Sequence, residues 1–151
     1  LIANAGIDES NVQANHAVTW PKDPATSAQN LQKLIYKQFK KKVGVIISDS
    51  HCPPSRHGTS AIAIGIAGFN GIECEIGKLD LFKKPLKITY HNLADELASA
   101  ANFLMGESNQ GIPAAVIKEA NIKLSKRSAH DLTHDLTIDP KKDLFNKLYE
   151  G

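Results

Sequence analysis

Two aspartates stand where a hard cation could be held. Asp8 lies in Gly6-Ile7-Asp8-Glu9-Ser10-Asn11, a turn of small and polar residues behind an apolar opening. Asp49 follows the apolar run Val43-Gly44-Val45-Ile46-Ile47-Ser48 and precedes the hydroxyl of Ser50. Carboxylate and hydroxyl oxygens are the ligands that Mg²⁺ or Mn²⁺ takes while sharing phosphate oxygens. The end of a buried strand is also where open α/β sheets place their ligands. An Asx-turn at each aspartate is the plainer reading of the same residues.

Other side chains invite different chemistry. His51, Cys52, His57 and Cys74 suggest zinc, yet their spacing fits no compact ligand pairing and Pro53-Pro54 stiffens the loop between them. A Cys52 nucleophile with a histidine base is the thiol alternative. His130 and His134 are one helical turn apart, but the Glu of a zinc-protease helix is absent, which favours a solvated or partner-facing segment. Met105-Gly106-Glu107-Ser108-Asn109-Gln110-Gly111 is a glycine-bracketed polar turn able to present N–H groups to phosphate. It lacks the Lys-Ser/Thr of a P-loop, and a plain helix-to-strand connection is its alternative.

The elements that would position these residues follow from hydrophobic spacing. Asp23 caps, and Pro24 opens, a helix whose apolar face is Ala28, Leu31, Leu34, Ile35 and Phe39. Lys37, Lys40, Lys41 and Lys42 gather at its end, where cations suit the helix dipole. Buried strands are expected over 43–48 and over 61–67, where Gly65 allows backbone or a ligand to come close. Further strands are expected over 72–76, 86–90 and 113–118. The clearest helix runs from Leu93 to Met105, capped by Asn92 and ended by Gly106. Residues 119–139 read as a polar loop or linker, and Asp139-Pro140 opens a short terminal helix carrying Phe145 and Leu148. The fold class is α+β, a mixed α/β domain spanning 1–151.

The 151 residues suffice for one domain with its own core. With 42% hydrophobic and 23% charged residues the chain is neither disordered nor collagen-like, and no apolar run reaches bilayer length. A net charge of +2 gives no argument for nucleic acid. Two cysteines make no disulfide framework, so the cytoplasm is the expected compartment. The opening Leu1-Ile2-Ala3-Asn4 has no Met, basic region or long apolar core, so it is no signal peptide. It reads as mid-strand, and the expectation is a piece whose N-terminal half is missing.

Read together, the motifs are no longer anonymous. Ala3-Asn4-Ala5-Gly6-Ile7-Asp8-Glu9-Ser10-Asn11-Val12, then Ile46-Ile47-Ser48-Asp49-Ser50 with Pro54-x-Arg56-x-Gly58, resemble the F-420-0:γ-glutamyl ligase family. So do Ala63-Ile64-Gly65-x-Ala67-Gly68, Ala94-Asp95-Glu96-Leu97-Ala98-Ser99-Ala100-Ala101 and Met105-Gly106-Glu107. The resemblance implies a GTP-dependent, metal-requiring ligase that adds L-glutamate to coenzyme F-420-0 and works as an intertwined homodimer. A substrate carboxylate would take the γ-phosphoryl group of GTP, and the amine of glutamate would attack the acyl phosphate. Carried over by motif, Asp8, Asp49, Ser50 and Glu107 would hold Mn²⁺ or Mg²⁺, with Ser50 where the family usually has Thr. Asn11, Met105, Gly106, Ser108, Asn109, Gln110, Gly111 and Ile112 would meet the nucleotide, and Arg56 would sit on a substrate loop.

The chain also departs from that pattern. Where the family commonly reads Arg-Pro-Trp-Arg, it has Pro53-Pro54-Ser55-Arg56, and where relatives often read Asp-Tyr-Arg-Gly it has Cys74-Glu75-Ile76-Gly77. An anionic substrate wants the cations these exchanges remove. The alternative to a ligase is therefore a diverged or truncated non-catalytic module that binds nucleotide and dimerises.

Overall fold

The structure, a computed structural model, describes residues 7–143 and residue 145. In chain order the strands are β1 (Ile7–Asp8), β2 (Val18–Thr19), β3 (Val45–His51), β4 (Ser60–Ala67), β5 (Ile72–Cys74) and β6 (Tyr90–Asn92). The helices are α1 (Pro24–Phe39), α2 (Leu93–Met105) and α3 (Ala129–His134), followed by a 3-10 turn at Pro140–Lys142. Among the described residues the strands form three antiparallel pairs, β1 with β2, β3 with β4 and β5 with β6. The mixture of helices and small sheets is the α+β class expected.

The β3–β4 pair carries the core on both faces. Against one face Ala25 and Ala28 of α1 pack with Val45, Ala67 and Ala129; against the other Ala94 of α2 and Leu132 of α3 pack with Ala63, Ile66 and Phe69. The α1 cap forms as read: Asp23 is extended and accepts from Thr26 N–H at 2.9 Å, with Pro24 at the first turn. Of the apolar face expected, Ala28 is buried and Ile35 packs on the core, but Ala25 joins them and Leu31, Leu34 and Phe39 are exposed. Gly65 gives the reason. A Cβ there would come within 2.5 Å of the Pro24 backbone, so β4 and α1 approach closely, with room only for small residues.

Other boundaries moved. The third strand runs to His51 rather than ending at Ser48, so Asp49 and Ser50 lie inside it, opposite Ile62 and Ala61. The antiparallel pairing means that the strand-end rule for open parallel sheets does not explain Asp49. An irregularity does. Ile47 pairs with Gly65 but Ser48 with Ala63, a bulge that skips Ile64 immediately before Asp49 and re-aims the rest of the strand. The strand expected over 86–90 is displaced to β6, and no strand forms over 113–118, where Pro113 offers no donor and Val116 is exposed.

The α2 helix spans the residues expected, with the Asn92 side chain accepting from Asp95 N–H at 3.1 Å and Gly106 at φ 77° closing it. Within 119–139 the chain is packed rather than linker-like. Ser125 N–H reaches the Gly68 carbonyl at 2.9 Å, and α3 buries Ala129 and Leu132 completely or nearly so. Asp139 caps the short turn at Pro140–Lys142; Phe145 is exposed and Leu148 lies outside the described residues. No helix among the described residues is long and apolar enough to cross a membrane.

Candidate active site

The β1–β2 hairpin, the bulged end of β3 and the turn after α2 wall a cavity of about 380 Å³. Asp8 and Ser10 come from the first hairpin, Trp20 from just after β2, Asp49 and Ser50 from β3, and Glu107 from the turn behind Gly106. Three stretches far apart in sequence thus bring oxygen-bearing side chains to one concavity. The volume is in the range of ordinary small-molecule sites.

Each carboxylate is held by donors. Asp8 accepts from the Ser10 hydroxyl and, at 2.7 Å, from Ser10 N–H, an Asx-turn that keeps its carboxyl below the usual carboxylate range. The plainer reading of Asp8 therefore holds together with its place in the cavity. Asp49 accepts from the indole N–H of Trp20 at 2.7 Å. Ser50 Oγ donates to the Glu107 carboxylate, and Asn102 Nδ2 donates to the same group at 2.5 Å. Asn11, at φ 54°, donates through Nδ2 to the Ser108 carbonyl at 2.8 Å and so ties the first loop to the turn after α2.

Not every candidate reaches the cavity. Of the turn at 105–112 only Glu107 lines it; Met105, Gly106, Ser108, Asn109, Gln110, Gly111 and Ile112 do not. Gln110 instead turns back, its Oε1 accepting from Ser108 N–H at 2.9 Å. Arg56 sits on an exposed turn closed by its own N–H to the Pro53 carbonyl at 3.3 Å and does not line the cavity. Trp20, Ser10 and Asn102 went unrecognised in the sequence. The lone tryptophan, beside Pro21 where a strand runs out, was the available signal for the first of them.

Among the described residues no three His, Cys, Asp or Glu side chains converge closely enough to grip an ion. That leaves the zinc reading of His51, Cys52, His57 and Cys74 without support, and His51 Nδ1 lies 3.0 Å from the Ser60 carbonyl. His130 is bound within the chain, 2.7 Å from Asp23, rather than offered to a partner. Asp8, Asp49 and Glu107 do not converge on one point either, but together with Ser50 they line a single cavity. Their ligand chemistry fits Mg²⁺ or Mn²⁺, with the side chains now turned to protein donors.

Residues 1–119 match the family described as F420-0:Gamma-glutamyl ligase. This chain belongs to that family. The coenzyme F420:L-glutamate ligase of Methanocaldococcus jannaschii is 43% identical over 143 residues, covering 95% of this chain and 55% of the relative. The enzyme of the same name from Archaeoglobus fulgidus is 43% identical over 122 residues, covering 81% of this chain and 49% of that protein. That of Methanococcus maripaludis is 42% identical over 132 residues, 87% of this chain and 53% of the relative. The chain spans about half the length of the curated relatives it matches. The ligase-family match includes Asp8, Asn11, Asp49, Ser50 and Glu107, all of which fall inside the matched residues.

Proposed function

We propose that this chain carries the cation- and nucleotide-binding part of a GTP-dependent ligase of the γ-glutamyl ligase family that joins the amine of L-glutamate to the carboxylate of coenzyme F-420-0 as an amide. The supporting observation is that Asp8, Asp49, Ser50 and Glu107 line one cavity, with Asn11 tied to the turn that carries Glu107. A divalent cation held by those four oxygens would offset the triphosphate charge that otherwise repels an incoming carboxylate.

The chain's own groups supply the rest. The Ser10 donors keep Asp8 anionic, so that it is ready to take a cation at neutral pH. The Asn11–Ser108 link holds two loops at one rim, fixing the path along which the nucleotide would lie. Backbone N–H groups of the 106–112 turn are the donors suited to its phosphates. Transfer of the γ-phosphoryl group to the substrate carboxylate gives an acyl phosphate, and attack by the glutamate amine releases phosphate and forms the amide. A homodimer, in the cytoplasm, is part of the same reading.

The test is a product assay on the full chain with F-420-0, L-glutamate, GTP and Mn²⁺. The reading expects a product heavier by one glutamyl residue, one phosphate released per amide, and neither with D49N. A second reading, a non-catalytic nucleotide-binding module, draws on Pro53 and Ser55, where the resembling pattern has an arginine and a tryptophan, and on Glu75, which is paired with Lys78 at 2.6 Å. Nucleotide binding without amide or phosphate release would favour it.

A further inference from the structure

Trp20 is the only tryptophan of the 151 residues, and its indole nitrogen lies 2.7 Å from Asp49 Oδ2. We infer that Trp20 is the positioning residue for Asp49: its N–H fixes one carboxylate oxygen so that the other is presented to the cavity where a divalent cation would bind. The inference rests on the cation reading above and names a residue outside the ligand set.

The geometry argues for a role beyond packing. Trp20 is 38% exposed and belongs to neither core cluster, so its ring is not needed to fill the interior. Its side chain nonetheless lines the same cavity as Asp8, Asp49, Ser50 and Glu107. Among the described residues the hydrogen bond to the Asp49 carboxylate is the indole's, at a position just past the bulge at Ile47/Ser48. An indole can donate but not accept, so it cannot compete with the carboxylate as a ligand. A carboxylate ligand held by an outer donor loses less orientational freedom on taking a cation, and losing such a donor typically weakens metal affinity by about 10- to 100-fold. Trp20 directly follows β2, which pairs with β1, and precedes Pro21, whose ring restricts the backbone there.

The test is Mn²⁺ affinity of the full chain, measured calorimetrically without nucleotide, for the unsubstituted protein, W20F and D49N. W20F keeps an aromatic ring and removes the N–H. We expect W20F to bind Mn²⁺ at least about tenfold more weakly while its denaturation midpoint stays close to that of the parent. Indole emission, with W20F as the blank, is expected to change on adding Mn²⁺ with the same half-saturation, and to stop changing in D49N. Equal Mn²⁺ affinity in the parent and W20F, or emission that ignores bound Mn²⁺, would overturn the role of Trp20 while leaving the cation site standing. Absence of Mn²⁺ binding in the parent would overturn the cation reading and this inference together. Emission of the unsubstituted protein keeps Trp20 in place, so the inference stays open to refutation even if W20F folds poorly.

Discussion

Ser50 Oγ lies 2.9 Å from Oε2 and 3.1 Å from Oε1 of Glu107, a hydroxyl on β3 donating to a carboxylate 57 residues later. This contact joins the bulged strand to the turn behind α2 on one wall of the cavity. Both partners are polar, accessible to solvent, and outside the core clusters. The bond lies outside the packed interior, and in the proposed reading its value is to orient two oxygens that would hold a cation.

The S50A variant is therefore expected to unfold at nearly the same denaturant midpoint as the parent but to bind Mn²⁺ about tenfold more weakly. Calorimetry and a urea titration on the same preparation check both halves. A lowered midpoint with unchanged Mn²⁺ affinity would make the pair a structural tie only.

Gly65 should not tolerate even a methyl group. An added Cβ would stand 2.5 Å from the Pro24 carbonyl carbon and oxygen, which are backbone and cannot swing aside. Forcing α1 off β4 in a packed interior is expected to cost about 1–3 kcal/mol, read as a lower midpoint for G65A in urea. Because the displaced helix start lies next to the strand that carries Asp49, Mn²⁺ affinity should fall along with stability.

The Asp23 carboxyl is held at about 2, below its ordinary 3.8, chiefly by Thr26 N–H, then by the Thr26 hydroxyl and by His130. A carboxyl lowered on folding favours the folded state above its unfolded value and loses that favour as protons bind. The thermal midpoint should accordingly decline as pH drops from about 4 toward 2. In D23N the part of that decline due to this group should vanish, with a slightly lower midpoint at neutral pH because Asn still caps the helix but its amide nitrogen cannot accept from the Thr26 hydroxyl or pair with His130. An unchanged pH profile in D23N would show that the cap carries none of the acid sensitivity.

Much of the frame was legible in the residues because its signals are local. Asp23-Pro24 and Asn92 cap by reaching N–H groups three residues on, and Gly106 ends α2 through a backbone shape that L side chains rarely adopt. Long-range facts were not legible. Of the apolar face read for α1, Ala28 is buried and Ile35 packs on the core, but Leu31, Leu34 and Phe39 are exposed, and the close approach of Pro24 to Gly65 puts Ala25 inward as well. Leu132 lay in a stretch that reads as polar, and only the surfaces of Ile66 and Phe69 reveal it as core. Asp8 and Asp49 could be singled out as hard ligands, but nothing in their sequence neighbourhoods foretold that a bulge and a short hairpin would place them on one cavity. Trp20 offered only its rarity as a signal, since its partner lies 29 residues away on another strand.

The central claim is that the aspartates of the first hairpin and of the bulged strand act together on a metal-bound nucleotide. Isothermal titration of GTP into the full chain, with and without Mn²⁺ and in the parent and D49N, tests it most directly. The account predicts that GTP binds the parent only when Mn²⁺ is present and that D49N weakens this binding by about tenfold or more. GTP affinity indifferent to both Mn²⁺ and the substitution at Asp49 would contradict it.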